Sequence, residues 1–364
     1  MALEDYAEDI ETCFGTSCAF CERGCPVYRV LNKKTFTSRG RNRAILGILK
    51  GKVKPSQELA DAYYQCTLCG NCERWCALPD TAITKALREY LIEHGFENEA
   101  HKKLVENVDK FGNPYGEPGD KKIEWQNWFD FSQEADTLFF AGCTMPLRQP
   151  EILKKGLELL GPSNLQTMKD DDITEPCCGS VLVRTGHAQE GKKLAEVFVK
   201  YIQEHDIHEI VTACPGCLTT IQDIIEEYNL HTEIKHLVEK LAEEVVAGNI
   251  KVKNSGKKIT YHDPCHLGRL HGVFDPPREI IKKVGELIEL PHNRYDSFCC
   301  GAGGGVRAGY SELSKEIGNI RMEEIKGSGA EILVTACPFC ETQFKELGGI
   351  EVKDVIELLW ENRE

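Results

Sequence analysis

Apolar positions change period part-way along the chain. In the first hundred residues they recur at helical spacing. Ala44-Ile45-Leu46 and Ile48-Leu49 follow the basic stretch SRGRNR, and TAITKALREYLIEH (81–94) repeats apolar residues every three or four positions. The latter predicts an amphipathic helix capped by Asp80 or Thr81 and ending near Gly95. From residue 136 short continuous apolar runs take over: DTLFFAGC (136–143), HEIVTAC (208–214), KITYHDPC (258–265) and AEILVTAC (330–337). Each reads as a buried strand, with helices predicted near 150–160, 276–284, 310–327 and 353–360. Strands alternating with helices imply parallel sheets with crossovers, whose sites form outside the carboxyl ends of the strands. Between the two regimes, residues 97–132 are polar and carry GNPYGEPGD, the mark of a linker or a wrapped loop. Trp125, Trp128, Phe129 and Phe131 end that stretch and are expected to pack it onto the next domain.

The α/β pattern occurs twice. Cys143 lies 34 residues before Cys177-Cys178-Gly179, and Cys265 lies 34 residues before Cys299-Cys300-Gly301. Downstream of each pair comes a Cys-Pro-x-Cys, Cys214 to Cys217 and Cys337 to Cys340. The offset between halves is 122 residues up to the cysteine pairs and 123 at the Cys-Pro-x-Cys motifs, so the second half has gained one residue, placed in Gly303-Gly304-Gly305. This is an internal duplication. The resulting division is 1–100 for a helical module, 101–135 for a linker, 136–254 for the first repeat and 255–364 for the second. All ten cysteines of the repeats fall at strand ends or in the loops between. There a helix N-terminus favours thiolate or an anionic cluster.

Composition changes this picture mainly through cysteine, of which there are 18 among 364 residues. The acidic start MALEDYAEDIETC has no apolar segment of a secretory signal, and no run of 18 apolar residues predicts a membrane span. A cytoplasmic setting with reduced thiols follows, where dense cysteine means metal binding or catalysis rather than disulfides. The net charge of -14 argues against a nucleic-acid partner while leaving room for a local basic pocket.

The helical module carries Cys13-x4-Cys18-x2-Cys21-x3-Cys25-Pro26 and Cys66-x2-Cys69-x2-Cys72-x3-Cys76. Three closely spaced thiolates suit one face of a [4Fe–4S] cube, and in two-cluster ferredoxins the fourth cysteine of each run serves the other cluster. The expected sets are therefore Cys13, Cys18, Cys21 with Cys76, and Cys66, Cys69, Cys72 with Cys25. Paired zinc knuckles are the alternative, but Cys-x2-Cys-x2-Cys crowds a tetrahedral site. Arg39, Arg41 and Arg43 between the runs read either as a patch tuning or docking at the clusters or as a solvated helix start. The other ten cysteines divide into Cys143, Cys177, Cys178, Cys214, Cys217 and Cys265, Cys299, Cys300, Cys337, Cys340. Five thiolates exceed the four a cube needs. Either one is not a permanent ligand or the cluster is not an ordinary cube; zinc or unligated thiols are the plain alternative.

The two repeats, each with a leading cysteine, a Cys-Cys-Gly and a Cys-Pro-x-Cys, resemble the CCG-domain iron–sulfur oxidoreductases. With the two-cluster module in front, nearly the whole chain is similar to the D subunits of heterodisulfide reductase, which are fusions of the C and B subunits of that enzyme. The resemblance implies a helical ferredoxin-like module with two cubane [4Fe–4S] clusters, followed by two α/β CCG domains that each hold a noncubane [4Fe–4S] cluster on five cysteines. It also implies cleavage of the coenzyme M–coenzyme B disulfide between them. In that family a histidine follows the leading cysteine of the second motif, near the substrate sulfurs; here it is His266, which could give a proton to a departing thiolate or hydrogen-bond a cluster sulfur. His262 reads as structural. Arg184 and Arg307 occupy equivalent places, Arg148 and Arg269 follow the leading cysteine of each repeat, and all four suit an anionic substrate or a salt bridge. No flavin or nucleotide fingerprint is present, so electrons must come from a flavin-containing or cytochrome b electron donor, through which alone the chain would meet a membrane. The alternative is an iron–sulfur relay component of a glycolate- or lactate-type flavin dehydrogenase that passes electrons towards quinone. Anaerobically purified protein is expected to contain about sixteen irons, four per cluster; stoichiometric zinc, or only about eight irons in a metal analysis, would refute that count.

Overall fold

The computed structural model describes residues 2–132, 134–169 and 173–364. The four predicted strands form, each slightly shorter than its apolar run: β1 (Thr137–Phe140), β2 (Glu209–Thr212), β4 (Lys258–His262) and β6 (Ile332–Thr335). Three further strands, β3 (Glu233–His236), β5 (Glu286–Ile288) and β7 (Glu351–Asp354), lie at sheet edges, where half-exposed polar residues hide the strand signal. The first sheet has the order β1-β2-β3 and the second β5-β4-β6-β7, all parallel. The duplication is thus visible in topology: β1, β2 and β3 correspond to β4, β6 and β7. In the first repeat a single parallel bridge, Leu138 to Gln166, stands where the second has β5.

Four helices fill the space between the sheets: Pro150–Leu160, Leu237–Ala247, Asp275–Val284 and Val355–Asn362. They share one buried core, in which Phe139, Val211 and Leu241 of the first repeat meet Tyr261, Ile281, Val334 and Leu359 of the second. Trp125 is fully buried in that core, edge-on to Phe131 and Phe139, as the aromatic run predicts. The segment read as a linker is not a loop throughout. Glu99–Phe111 is a helix, started by Asn98, whose side chain accepts from the backbone N–H groups of Ala100 and His101, and ended at Gly112 with φ of +68°. The stretch 353–360 likewise begins as strand β7. Asp354 accepts from the backbone N–H of Ile356 at 2.8 Å and so divides strand from helix.

The helix Asp80–Glu93 departs from expectation at its start. Asp80 is its first residue rather than its cap, with a buried side chain accepting from Ser38 and Asn42. The cap comes from Glu73, whose carboxylate accepts from the Thr81 N–H at 2.6 Å and its hydroxyl at 2.7 Å. The same helix holds the molecule together through Arg88, which is wholly buried. Its guanidinium donates to the carbonyls of Tyr63, Tyr64 and Cys66 in the helical module, Arg184 in the first repeat and Gly304 in the second, at 2.6 to 3.0 Å. Gly303-Gly304-Gly305 lies directly on the module. A Cβ at Gly304, where φ is +62°, would stand 2.6 Å from the Cys66 carbonyl oxygen. The extra residue of the second repeat is therefore where this repeat meets the cysteine loop.

Breaking Arg88 leaves up to five buried carbonyls without their donor, and removing one side of a buried charged network costs about 3–5 kcal/mol. Arg88→Met is expected to lower the anaerobic thermal midpoint of the holoprotein clearly and to open residues 97–132 to proteolysis. An unchanged midpoint and digest would show that Arg88 does not tie the three parts together.

Candidate functional site

The cysteines of the helical module gather in two groups. Cys76 senses the charges of Cys13 and Cys18, and Cys13 that of Cys21. Cys25 senses Cys66 and Cys69, and these three with Cys72 line one small cavity. Cys13 and Cys21 of the first group and Cys25 and Cys69 of the second are buried, and Cys18 is exposed. The three arginines between the runs have three different fates. Arg41 is buried and lines the cavity. Burial would lower its pKa, but the charges of Cys66, Cys72 and Cys25 prevail and raise it. Arg39 donates to the Cys13 carbonyl at 2.8 Å and so braces the outer loop. Arg43 is solvated.

The two five-cysteine groups have the same internal order. In the first, hydrogen-bonding contacts run Cys143–Cys177–Cys178–Cys217–Cys214. In the second they run Cys265–Cys299–Cys300–Cys340–Cys337, with 3.2 Å between the Cys300 and Cys340 sulfurs. The strands β2 and β6 stop two residues before Cys214 and Cys337, and each of these cysteines caps the helix that follows, Pro215–Glu227 or Pro338–Leu347. Gly142, at φ +71°, lets the Cys217 sulfur approach the loop; a Cβ there would stand 2.7 Å from it. Spacing alone gives no sign of one further contact: Cys69 of the helical module bonds to Cys299 of the second repeat.

These sets fit iron–sulfur clusters by the chemistry of their donors. All eighteen cysteines are free thiols. Hydrogen bonding between neighbouring sulfurs drives their pKa values apart within each row. Cys177 is kept well below the usual thiol range by hydrogen bonds from Cys143 and Cys178, and Cys214 falls to about 7 beside Cys217. Cys143 is pushed up by Cys177 and by burial, and Cys340 by Cys300, Cys337 and burial. Contiguous buried thiols of this kind ionise together only when a metal supplies the opposing charge. Among the described residues, the one His/Cys/Asp/Glu cluster whose ligand atoms already converge is His262, Cys300 and Cys340.

The repeats clasp each other reciprocally. The segment after Cys265 packs on the helix launched by Cys214, where Thr219 and His271 meet at 3.0 Å. The segment after Cys143 packs on the helix launched by Cys337, where Gln149 donates to the Pro338 carbonyl at 3.1 Å. His266 sits in the first of these contacts, half-buried, with Nδ1 3.2 Å from the Cys265 sulfur. Burial, then Arg184, His271 and Lys85, push its pKa well below the usual imidazole range. Lys85 and Asp223 also line a cavity of about 440 Å³ between the helix Asp80–Glu93 and the first repeat. Of the four paired arginines only Arg184 belongs to this cluster of charges. Arg148 pairs with Glu117, Arg307 with Glu346, and Arg269 donates to the Cys69 carbonyl at 2.7 Å. Sequence reasoning missed Lys85, Asp223 and the buried pair Lys122–Glu175 beside Cys143 and Cys177. A lysine in an amphipathic helix or a polar loop looks solvated until its neighbours are known.

Comparison with known proteins agrees with this architecture. The cysteine-rich CCG domain family matches residues 137–222 and 259–345, and the 4Fe-4S dicluster domain family matches residues 9–78. The D subunit of the dihydromethanophenazine:CoB–CoM heterodisulfide reductase of Methanosarcina barkeri is 29% identical, over 94% of this chain and 92% of that protein. The B subunit of the fumarate reductase (CoM/CoB) of Methanothermobacter marburgensis is 28% identical over 98% of this chain and 73% of its own length. The EtfAB:quinone oxidoreductase of Syntrophomonas wolfei is 27% identical over 84% of this chain and 47% of its own length. With a dicluster domain followed by two CCG domains, and a match over nearly its whole length to the Methanosarcina protein, the chain belongs to the CCG-domain iron–sulfur oxidoreductases typified by the D subunit of heterodisulfide reductase.

Proposed function

We propose that this chain is the catalytic iron–sulfur component of a disulfide reductase, with the coenzyme M–coenzyme B heterodisulfide as its substrate. The observation that carries the reading is the reciprocal packing of two complete five-thiol rows, with His266 and the cations Lys85 and Arg184 at the contact between them. Cys13, Cys18, Cys21 and Cys76, and Cys25, Cys66, Cys69 and Cys72, would hold cubane clusters. Cys143, Cys177, Cys178, Cys214 and Cys217, and Cys265, Cys299, Cys300, Cys337 and Cys340, would hold noncubane ones. When bound, such clusters supply electrons one at a time. The reaction consumes two electrons and two protons, breaks the S–S bond and leaves two thiols.

The residues divide the remaining work. Lys85 and Arg184 place two like charges near His266, an arrangement that an anionic substrate relieves. Asp223 on the facing helix limits their excess and so favours a modestly charged group. His266 is the proton carrier, able to take a proton at one ring nitrogen and release one from the other towards a leaving sulfur. Exposed Cys18 marks the face where a flavin-containing or cytochrome b partner would deliver electrons, and the Cys69–Cys299 contact leads onward to the second repeat. The relay reading, in which electrons pass towards quinone, is favoured by the match to the EtfAB:quinone oxidoreductase. It leaves the cation cluster at the cleft without a task.

Three variants test the assignment. His266→Ala is expected to slow disulfide reduction on the order of a hundredfold with iron content intact, and unchanged turnover would remove it from proton transfer. Lys85→Gln is expected to raise KM for an anionic disulfide about tenfold, the loss of one charge-assisted contact. A neutral disulfide should show no such change, and an equal effect on both would refute an anion site. Cys300→Ser and Cys178→Ser should each abolish disulfide turnover while the N-terminal clusters stay reducible by an artificial donor. Near-normal turnover in either, with its cluster demonstrably altered, would hand the lead to the relay.

A further inference from the structure

The two repeats are built alike except at the strand end beneath each cysteine row. Strand β1 ends at Phe140 and β4 at His262, 122 residues apart, the same offset as Cys143 and Cys265. Phe140 packs edge-on against Phe198 with ring centroids 5.7 Å apart. After the one-residue insertion, the place of Phe198 is taken by Arg321. An apolar pair in the first repeat is thus a buried polar pair in the second, with His262 at 1% exposure and Arg321 at 0%.

The chemistry of that pair fixes a proton. Arg321 Nε donates to His262 Nδ1 at 3.2 Å. Its other nitrogens donate to the His292 carbonyl at 2.8 Å and the Ser297 hydroxyl at 3.3 Å and pair with Glu324. A guanidinium in a protein can only donate. Nδ1 of His262 therefore carries the lone pair, and the ring proton of the neutral imidazole sits on Nε2. Nε2 is buried without a hydrogen-bond partner. The ring converges with the sulfurs of Cys300 and Cys340, the ligand atoms all lying within 4.8 Å of one another, and Cys300 is the sulfur it interacts with electrostatically. Two roles are open to a histidine so placed, iron ligand or N–H donor. A ligating nitrogen needs a free lone pair, and Arg321 has placed the proton on the nitrogen that would have to ligate. The cation near the first row does not restore the balance: Lys122 is neutralised by Glu175 at 3.4 Å, as Arg321 is by Glu324.

We propose that His262, locked in one tautomer by Arg321, is a positioning residue that donates a permanent N–H···S hydrogen bond to Cys300 and makes the cluster of the second repeat easier to reduce than that of the first. The inference rests on the reading of Cys300 as a cluster ligand. Hydrogen bonds to cluster sulfurs stabilise the more negative, reduced state and raise its potential. Phe140 and Phe198 offer the first row nothing equivalent. Electrons arriving by way of Cys69 would settle first in the half that carries His266, and the two halves are unlike in redox terms although alike in ligands.

The test is an anaerobic redox titration of the holoprotein followed by EPR, with iron determined on each sample. Three variants are compared: His262→Phe, the double variant His262→Phe/Arg321→Phe that restores the pair of the first repeat, and His262→Gln, which keeps an amide N–H. In both Phe variants the second-repeat signal should move to lower potential by about a tenfold change in its reduction equilibrium, 59 mV for one electron. The other signals should stay in place and iron should be retained, while His262→Gln recovers part of the shift. An unmoved potential with full iron overturns the proposal. So does loss of second-repeat iron from both Phe variants, or a strong nitrogen hyperfine coupling from ¹⁵N-histidine in the unaltered protein, either of which would make His262 a ligand or a scaffold. Absence of a cluster from the second repeat of the unaltered protein would instead sink the assignment of Cys300, a separate result.

Discussion

A single buried guanidinium decides how the parts of this molecule stand relative to one another. Among the described residues Arg88 has no carboxylate partner; carbonyl dipoles from three regions of the chain take its two terminal nitrogens instead. Burial lowers its pKa, yet an arginine stays charged, so the surrounding backbone must keep its carbonyls turned inward. Besides those of Tyr63 and Tyr64, the carbonyls it gathers belong to Cys66 in the cysteine loop of the module, to Arg184 in the short helix after the first Cys-Cys-Gly, and to Gly304 in the turn after the second. The sulfur rows on either side inherit their relative placement from that constraint. Sulfur contact between Cys69 and Cys299 follows from it, since the glycine run beside Cys299 rests on the backbone at Cys66.

Around this anchor the duplicated halves behave as one body. Their sheets are separated by a shared four-helix layer, and each half places the segment after its leading cysteine against the helix launched by the other. Reciprocity of this kind gives two similar centres one common boundary. What distinguishes them lies outside the ligands: Lys122 with Glu175 beside the first row, His262 with Arg321 beside the second, and His266 on one side only. A repeated scaffold has been given two environments.

Much of this was legible in the residues because the signals were local. Strands buried on both faces announce themselves as unbroken apolar runs, and β1, β2, β4 and β6 lie where those runs do. The two N-terminal cysteine runs were plain in their spacing, while their crossed pairing came from the two-cluster ferredoxin pattern; Cys76 sits near Cys13 and Cys18. Legibility failed where an edge or a distant partner decides. EIKH, ELI and EVKD are strands by virtue of a neighbour, and Asp80 turned inward because Ser38 and Asn42 wait for it. Arg88 had left a trace: it falls with Thr84 and Leu91 on the buried side of an amphipathic helix, where a charge has no ordinary place. His262 left none, since nothing in the strand KITYH shows that Arg321 will hold its ring.

The glycine run has a consequence for protein engineering. Dicluster domains invite treatment as interchangeable cassettes, to be swapped for others of different potential. Here the joint is backbone against backbone, with no side-chain layer to absorb a misfit, because Gly303 and Gly304 admit the Cys66–Thr67 chain where any Cβ would collide. A transplanted cassette would have to reproduce the main-chain path of that loop and carry its own arginine at the place of Arg88. Sequence similarity in the cysteine spacing alone would not make it fit.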